Sequence, residues 1–419
     1  MEFPAECKHG GTNMSGKWFW IIGALFLVLK LGLALLGPEM VTTDNTADAL
    51  WYLDRAVGVS QTGSLLEADG TKTALFPTGY PYLLGVIGVI FGATLQTAVI
   101  LNSLLSLVVA GLVYVLGKML FDRKVGIAAA LVMLIAPAQY IYSQQAFSEH
   151  LFTVLLLLVV ISTLFVVRGP LVLALLVGVL IALACLTRGQ GLVLLAWFPL
   201  AVLMLSGKWR TAVLVVCLLA VGWLAVMSPW WMRNYSAFGR FVLISNNSGM
   251  NLCFGNIDTC WARPNFEYKI NQGLTGNEAE RDYIMKTAAV EYIRAHPWRF
   301  IAKAPLKIFW LYVADANLSF RQSILASYGR IIGLIILGYG QLLWLALAIM
   351  ALLGLAKTRF GREYKSQNVL YILLILWGFF HAIFFGGARF NFPVFAIVAI
   401  LAAAWMYSLN QSVKIKVWE

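Results

Sequence analysis

The chain has 419 residues, of which 61% are hydrophobic and only 12% charged, and its formal net charge is +12. A soluble domain carries about 25% charge, so a water-solvated globule is excluded, and the length instead accommodates about ten membrane spans of roughly 20 residues plus their loops. The excess of Lys and Arg, which would point to nucleic acid in a soluble protein, here sorts the loops by side of the membrane.

Residues 1–17 are polar and lack a small-residue cleavage site, so no cleavable signal is expected. Span one is predicted from about Trp18 to Leu36. Lys17 precedes it, and an acidic stretch (Glu39, Asp44, Asp48, Asp54, Glu67, Asp69) follows. This bias places the N-terminus in the cytoplasm and residues 37–96 outside as a first outer loop. The apolar run from Tyr80 to Phe91 is short for a span; with Pro77, Gly79 and Pro81 at its start it is expected to lie in the outer interface. A crossing there would put Lys118, Arg123 and Lys124 on the outer side.

Further spans are predicted at about Thr97 to Gly117, Val125 to Ile141, Glu149 to Val167, Leu171 to Leu186, Leu192 to Leu205 and Ala212 to Pro229. Residues 231–327 then form a long outer segment. Within it, Asn277 and Glu280 have capping-box spacing, followed by Ile284, Ala288 and Tyr292 as an apolar stripe, and Pro297 ends that helix. The next stretch mixes Trp298, Phe300, Phe309, Trp310 and Tyr312 with Arg299, Lys303 and Lys307, which suits a segment in the headgroup layer. Tyr328 to Leu355, Asn368 to Phe385 and Phe392 to Tyr407 complete an all-α polytopic membrane protein of about ten spans. Its turns with Arg168, Lys208, Arg210, Lys357, Arg359, Arg362 and Lys365, and its tail with Lys414 and Lys416, are cytoplasmic. Of the five Cys, Cys185 and Cys217 lie in apolar runs; Cys253 and Cys260 share one loop and could form one disulfide if it faces an oxidising compartment.

This threading gathers the unusual residues on one face: Asp44 and Asp48 in the first outer loop, Glu149 beside Ser148 and His150, Arg188, Arg233 and Arg389, with Lys30 in the outer half of span one. A charge inside a span costs at least about 2.5–3.5 kcal/mol on insertion scales and so faces a cavity or a partner. Arg grips phosphate oxygens in a bidentate way, and an Asp or Glu beside it can take a proton from a hydroxyl. A glycosidase would need two carboxyls framing the scissile bond. One base with several cations instead matches a sugar-phosphate donor, whose phosphate leaves as an anion and needs positive charge where negative charge grows. Each residue also has a plainer role: Asp48 or Glu149 as helix N-terminal charges, the arginines as contacts for bulk lipid headgroups, Lys30 snorkelling to the interface, His150 as a hydrogen-bonded structural residue.

Asp48-Ala49-Leu50-Trp51-Tyr52-Leu53-Asp54-Arg55-Ala56, then Gly63, then Pro77-Thr78-Gly79-Tyr80-Pro81 resembles the first outer loop of the protein O-mannosyltransferase and aminoarabinose-transferase superfamily, which are GT-C glycosyltransferases. Ser148-Glu149 with Leu151-Phe152, Thr187-Arg188 with Gly191-Leu192, Pro229-Trp230 with Arg233-Asn234, and Arg389 with Pro393 are similar in order and spacing. The chain departs from that pattern at Ala49, where many relatives have a second acid after the Asp, and at Thr78, where a second Pro is common.

The resemblance implies a GT-C-type helical bundle with interfacial outer-loop helices. It implies an inverting transferase that takes a sugar from an undecaprenyl-phosphate-like polyprenyl donor, in a bacterial inner membrane, on its periplasmic face. Asp48 would be the base, with Asp44 and Glu149 as further catalytic candidates. Arg188, Arg233, Arg389 and Lys30 would hold the donor phosphate, and Tyr52, Tyr80 and His150 would position substrate. The acceptor is a lipid, glycan or protein. No cofactor is expected, and no metal, because no Asp-x-Asp or His-rich ligand set is present. The rivals are a transporter or flippase of lipid-linked sugars, which would show pseudo-repeats and midplane breaks, and a polysaccharide ligase or polymerase with diphosphate donors.

Overall fold

The computed structural model describes residues 23–26, 28, 32, 40, 47–67, 69–257, 276–358, 361 and 364–409. Most of predicted span one, with Lys30, and Asp44, Cys260, Arg359, Arg362 and the tail lysines lie outside the described residues. Those described form helices joined by short turns, with one isolated antiparallel bridge, Leu66 to Lys72.

Helix α1 (Ala47–Thr62) and α2 (Gly79–Phe91) pack together beside the long hairpin of α3 (Leu95–Leu120) and α4 (Arg123–Ile135). After the short α5 (Pro137–Ile141) come α6 (Glu149–Arg168), α7 (Leu173–Thr187), α8 (Leu192–Ser206) and α9 (Trp209–Phe238). A peripheral pair, α10 (Ser248–Asn256) and α11 (Glu278–Ala295), leads into α12 (Pro297–Val313) and α13 (Arg321–Tyr328). The bundle closes with α14 (Arg330–Thr358), α15 (Lys365–Ile383) and α16 (Phe392–Leu409). Seven of the described helical segments are long and apolar enough to cross a membrane, or eight if the bent pair after Arg123 counts as one span. The chain is therefore a multi-pass membrane protein. About 72% of the apolar window is buried both in α6 and in the segment from Ala388 that contains α16, against 22% in α9; α6 and α16 are the centre of the bundle and pack against each other.

Three predicted elements differ in the structure, each for a local reason. The run from Val125 to Ile141 is not straight: it bends by 57° at Ala136, which is extended (φ −66°, ψ 123°) because Pro137 clashes with a helical predecessor and brings no N–H. The helix predicted to end at Pro229 continues to Phe238 and stops at Gly239, which adopts φ +68°. Its extra turns are braced by Trp230 and Trp231, whose indole N–H groups donate to the carbonyls of Ile244 and Leu243. In α11 the capping box forms as predicted, but the packed face is Ala279, Asp282, Met285 and Ala289, while Ile284 and Tyr283 point outward.

Helix α12 is inverted relative to a water-exposed helix. Lys307 is buried and Lys303 half-buried, whereas Trp298, Ile301, Leu306, Phe309 and Trp310 are exposed. An exposed apolar face of this extent belongs against hydrocarbon rather than water.

Glycines let the spans approach closely. A Cβ built on Gly178 of α7 would lie 2.2 Å from the carbonyl oxygen of Leu219, and one on Gly222 of α9 would lie 2.1 Å from that of Leu175. Small residues at crossings are how membrane helices gain packing without a hydrophobic drive. Gly178→Ala is expected to destabilise by about 1–3 kcal/mol through overpacking, read as a lower unfolding midpoint in detergent or nanodiscs. Adding Gly222→Ala should cost less than it does alone, because one separation of α7 from α9 relieves both clashes.

Candidate active site

The two central helices begin at the same end of the bundle, and the site is built there. Glu149 is the first residue of α6 and fully buried. Its negative charge sits on the positive end of the helix dipole. Arg188 is the extended residue that ends α7, so its cation sits at a helix C-terminus. Arg389 stands in a single 3-10 turn, Ala388–Asn391, immediately before α16. Asp48 is in the first turn of α1.

These four side chains form one ion cluster. Glu149 Oε1 accepts from Arg389 Nε at 2.5 Å and lies 2.9 Å from Arg188 Nη1. Arg389 Nη2 reaches Asp48 Oδ2 at 2.7 Å, and Arg188 Nη1 also donates to Ser148 Oγ at 3.0 Å. The guanidinium of Arg389 lies over the rings of Phe147 (4.7 Å) and Phe320 (5.4 Å), which stack on each other at 5.0 Å. Two carboxylates and two guanidiniums cancel in charge, which is what permits the set to be buried. The pairing is uneven, however: Glu149 is fully enclosed and serves both arginines, whereas the Asp48 side chain keeps about 20% of its surface accessible and contacts Arg389 alone among them.

The predicted positioning residues distribute around this cluster. Tyr52, one turn after Asp48, is buried and meets Tyr80 of α2 edge-on at 5.8 Å. Burial pushes the Tyr52 hydroxyl up to about 12, against the opposing pull of Arg188, so it stays a hydrogen-bond donor at neutral pH. His150 is fully buried and its ring meets Phe392 edge-on at 5.0 Å, within the aromatic packing of Tyr142, Phe147, Phe320 and Phe392.

Arg233 stands apart from the ion cluster. Its guanidinium donates to the carbonyls of Thr73 (2.9 Å) and Leu65 (3.0 Å) and to Asn234 Oδ1 (2.8 Å), and lies 5.1 Å from the Trp230 ring. It thereby ties both arms of the bridged loop at residues 65–73 to the end of α9. Glu278 of α11 fastens the same loop, accepting from Thr73 Oγ1, the Ala74 N–H and Asn246 Nδ2. Burial raises the carboxyl of Glu278 and these bonds oppose it. Arg55 of α1 pairs with Glu67 of the loop at 2.5 Å. Lys30 and Asp44 are outside the described residues, as is Cys260; Cys253 is disulfide-bonded. Among the described residues no group of three or more His, Cys, Asp and Glu is placed to hold a metal.

Several participants carry no signal in the sequence. Phe320 is one aromatic among many, and nothing in its neighbourhood announces that it lies under Arg389. Glu278 reads as an ordinary helix N-terminal acid; only its burial reveals a three-donor acceptor.

Residues 76–232, little more than a third of the chain, match the family model described as dolichyl-phosphate-mannose-protein mannosyltransferase. That span contains Tyr80, Glu149, His150 and Arg188. No curated protein matches the chain in sequence. Among solved structures it is similar to the oligosaccharyltransferase AglB of Archaeoglobus fulgidus in complex with an inhibitory peptide and a dolichol-phosphate, with TM-score 0.57 and 14% identity over 94% of this chain and 50% of that one. A second structure of that enzyme, tethered to an acceptor peptide, gives TM-score 0.57 at 15% identity over 95% and 50%. ArnT of Cupriavidus metallidurans bound to undecaprenyl phosphate gives TM-score 0.45 at 15% identity over 94% and 78%. The chain spans about half the length of the archaeal enzyme. The chain thus shares the fold of about half of the archaeal enzyme, and its residues 76–232 match a mannosyltransferase family model.

Proposed function

We propose that the chain is a membrane glycosyltransferase that takes a sugar from a polyprenyl-phosphate donor at the outer face of the membrane and delivers it, with inversion, to an acceptor hydroxyl or similar nucleophile. The observation that carries this reading is the uneven sharing of Arg389: fully buried Glu149 accepts from its Nε, while partly accessible Asp48 meets its Nη2. The match of residues 76–232 to a dolichyl-phosphate-dependent family supports the donor class.

The chemistry follows from the asymmetry. A donor phosphate arriving at Arg389 competes with the Asp48 carboxylate for the same guanidinium edge and frees it. Glu149 keeps its hold, so Arg389 and Arg188 stay oriented toward the phosphate. The acceptor oxygen attacks the anomeric carbon as the bond from that carbon to the phosphate oxygen breaks. The bonding pair leaves with the polyprenyl phosphate, whose growing charge the two guanidiniums offset. The acceptor proton passes to Asp48. The Tyr52 hydroxyl, held protonated by burial, stands beside Ser148 at the edge of the cluster. Arg233, bonded to the carbonyls of Leu65 and Thr73, acts through the loop at residues 65–73 rather than on the phosphate itself.

Asp48→Asn is expected to lower turnover by about 10²–10⁴-fold, the usual range for loss of a general base, while polyprenyl-phosphate binding persists. Release of free polyprenyl phosphate from radiolabelled donors in nanodiscs, with membrane extracts as acceptor, measures this. Binding without turnover by the wild-type protein would instead favour transport.

Glu149→Gln is expected to behave differently, weakening donor binding and stability together. Removing one partner of a buried pair leaves the other uncompensated, at about 3–5 kcal/mol. Isothermal binding of polyprenyl phosphate alongside thermal unfolding reads both; unaltered binding would remove Glu149 from its holding role.

A further inference from the structure

Arg389 can serve two carboxylates only if the turn that carries it is fixed. Within α15, Trp377 Nε1 donates to the Phe390 carbonyl (2.9 Å) and His381 Nδ1 lies 2.7 Å from the Phe385 carbonyl oxygen; further supports come from α12. Asn391, two residues after Arg389, donates through Nδ2 to the carbonyls of Leu311 (3.0 Å) and Ala314 (2.6 Å). On the other side, Lys307 is buried, and its ammonium donates to the carbonyls of Ala382 (2.8 Å) and Ile383 (3.5 Å) and to Asn256 Oδ1 (2.9 Å). Ala382 and Ile383 are the last residues of α15, where carbonyls lack helical partners and a cation is favoured. Asn256 ends α10 and itself donates to Ile383 at 3.0 Å.

The backbone is wedged around this lysine. A Cβ on Gly386 would lie 2.7 Å from Lys307 Cβ, and one on Gly255 would lie 1.7 Å from the Phe384 carbonyl oxygen. With three acceptors for its three N–H groups, Lys307 has no donor left for a ligand. Its partners are carbonyl and amide oxygens rather than carboxylates, so the charge is stabilised by dipoles at two helix ends. Burial, with Lys303 nearby, lowers Lys307 to about 8, which leaves it largely protonated at neutral pH.

We propose that Lys307 is a positioning residue: by fastening the end of α15 it sets the turn from which Arg389 reaches Asp48 and Glu149, and so tunes the grip of Arg389 on an anionic lipid phosphate. The proposal rests on the donor-phosphate reading of Arg389. It explains why α12 turns its lysines inward and its apolar residues outward.

The test uses the full chain in nanodiscs, with undecaprenyl monophosphate as probe and thermal unfolding in parallel. Lys307→Met is expected to weaken binding about tenfold or more, in line with loss of charged hydrogen bonds. Lys307→Arg should recover binding to within about threefold of wild type. Lys303→Met, which loses the bond to the Asn256 carbonyl (2.9 Å) and leaves Lys307 in place, should lower stability without a comparable loss of binding. If Lys307→Met fails to fold, Asn256→Ala, which removes one acceptor and leaves the lysine in place, should still weaken binding several-fold. Equal binding by wild type and by the folded Lys307→Met or Asn256→Ala protein overturns this proposal alone. Absence of probe binding by wild type overturns the donor reading, and this proposal with it.

Discussion

One guanidinium, that of Arg389, lies between the carboxylates of Asp48 and Glu149 over a pair of stacked phenylalanines. In a bundle solvated mainly by lipid, such charges persist only as a mutually compensating set, and breaking one member exposes the others. Four separate stretches of chain must therefore arrive at one point: the first turn of α1, the start of α6, the end of α7 and the turn before α16. Much of the architecture serves that convergence. The 57° bend after Ala136 redirects the chain into the 137–148 segment that delivers Glu149, and the two most buried spans both begin at the site.

The loops around the cluster are held by polar side chains rather than by secondary structure. Arg233 and Glu278 bind loop 65–73 through its carbonyls, an N–H and a hydroxyl. Asp282 holds the start of α10 through Ser248 and the Gly249 N–H. Lys303 and Lys307 close the far ends of α10 and α15. Charges in residues 231–327 thus act mostly as fasteners, which leaves Asp48, Glu149, Arg188 and Arg389 as the buried ion cluster on which the proposed chemistry is built.

The membrane class and most spans were legible because 20-residue apolar runs leave little ambiguity. Asp48, Glu149, Arg188 and Arg389 could be grouped because a charge in an apolar context stands out, and the structure brings these four together. Arg233 carried the same signal, but the structure sets it apart from the four, bonded to the carbonyls of Leu65 and Thr73; one sequence does not show which arginines share a cluster. The packed face of α11 lies one residue away from the stripe Ile284, Ala288 and Tyr292, because its apolar residues are spread round the helix and the buried Asp282 belongs to that face. Pro137 signalled the bend, yet the hydropathy of the run concealed it. Lys307 read as a headgroup-facing cation because burial of an ammonium against helix-end carbonyls leaves no trace in composition.

The most direct test of the central claim is a cryo-electron microscopy structure of the protein in nanodiscs with undecaprenyl monophosphate. The account predicts the lipid phosphate within hydrogen-bond reach of Arg389 and Arg188, Glu149 still holding both, and the Asp48 carboxylate released from Arg389. A phosphate seated elsewhere, with Asp48, Arg389 and Glu149 still joined, would contradict it.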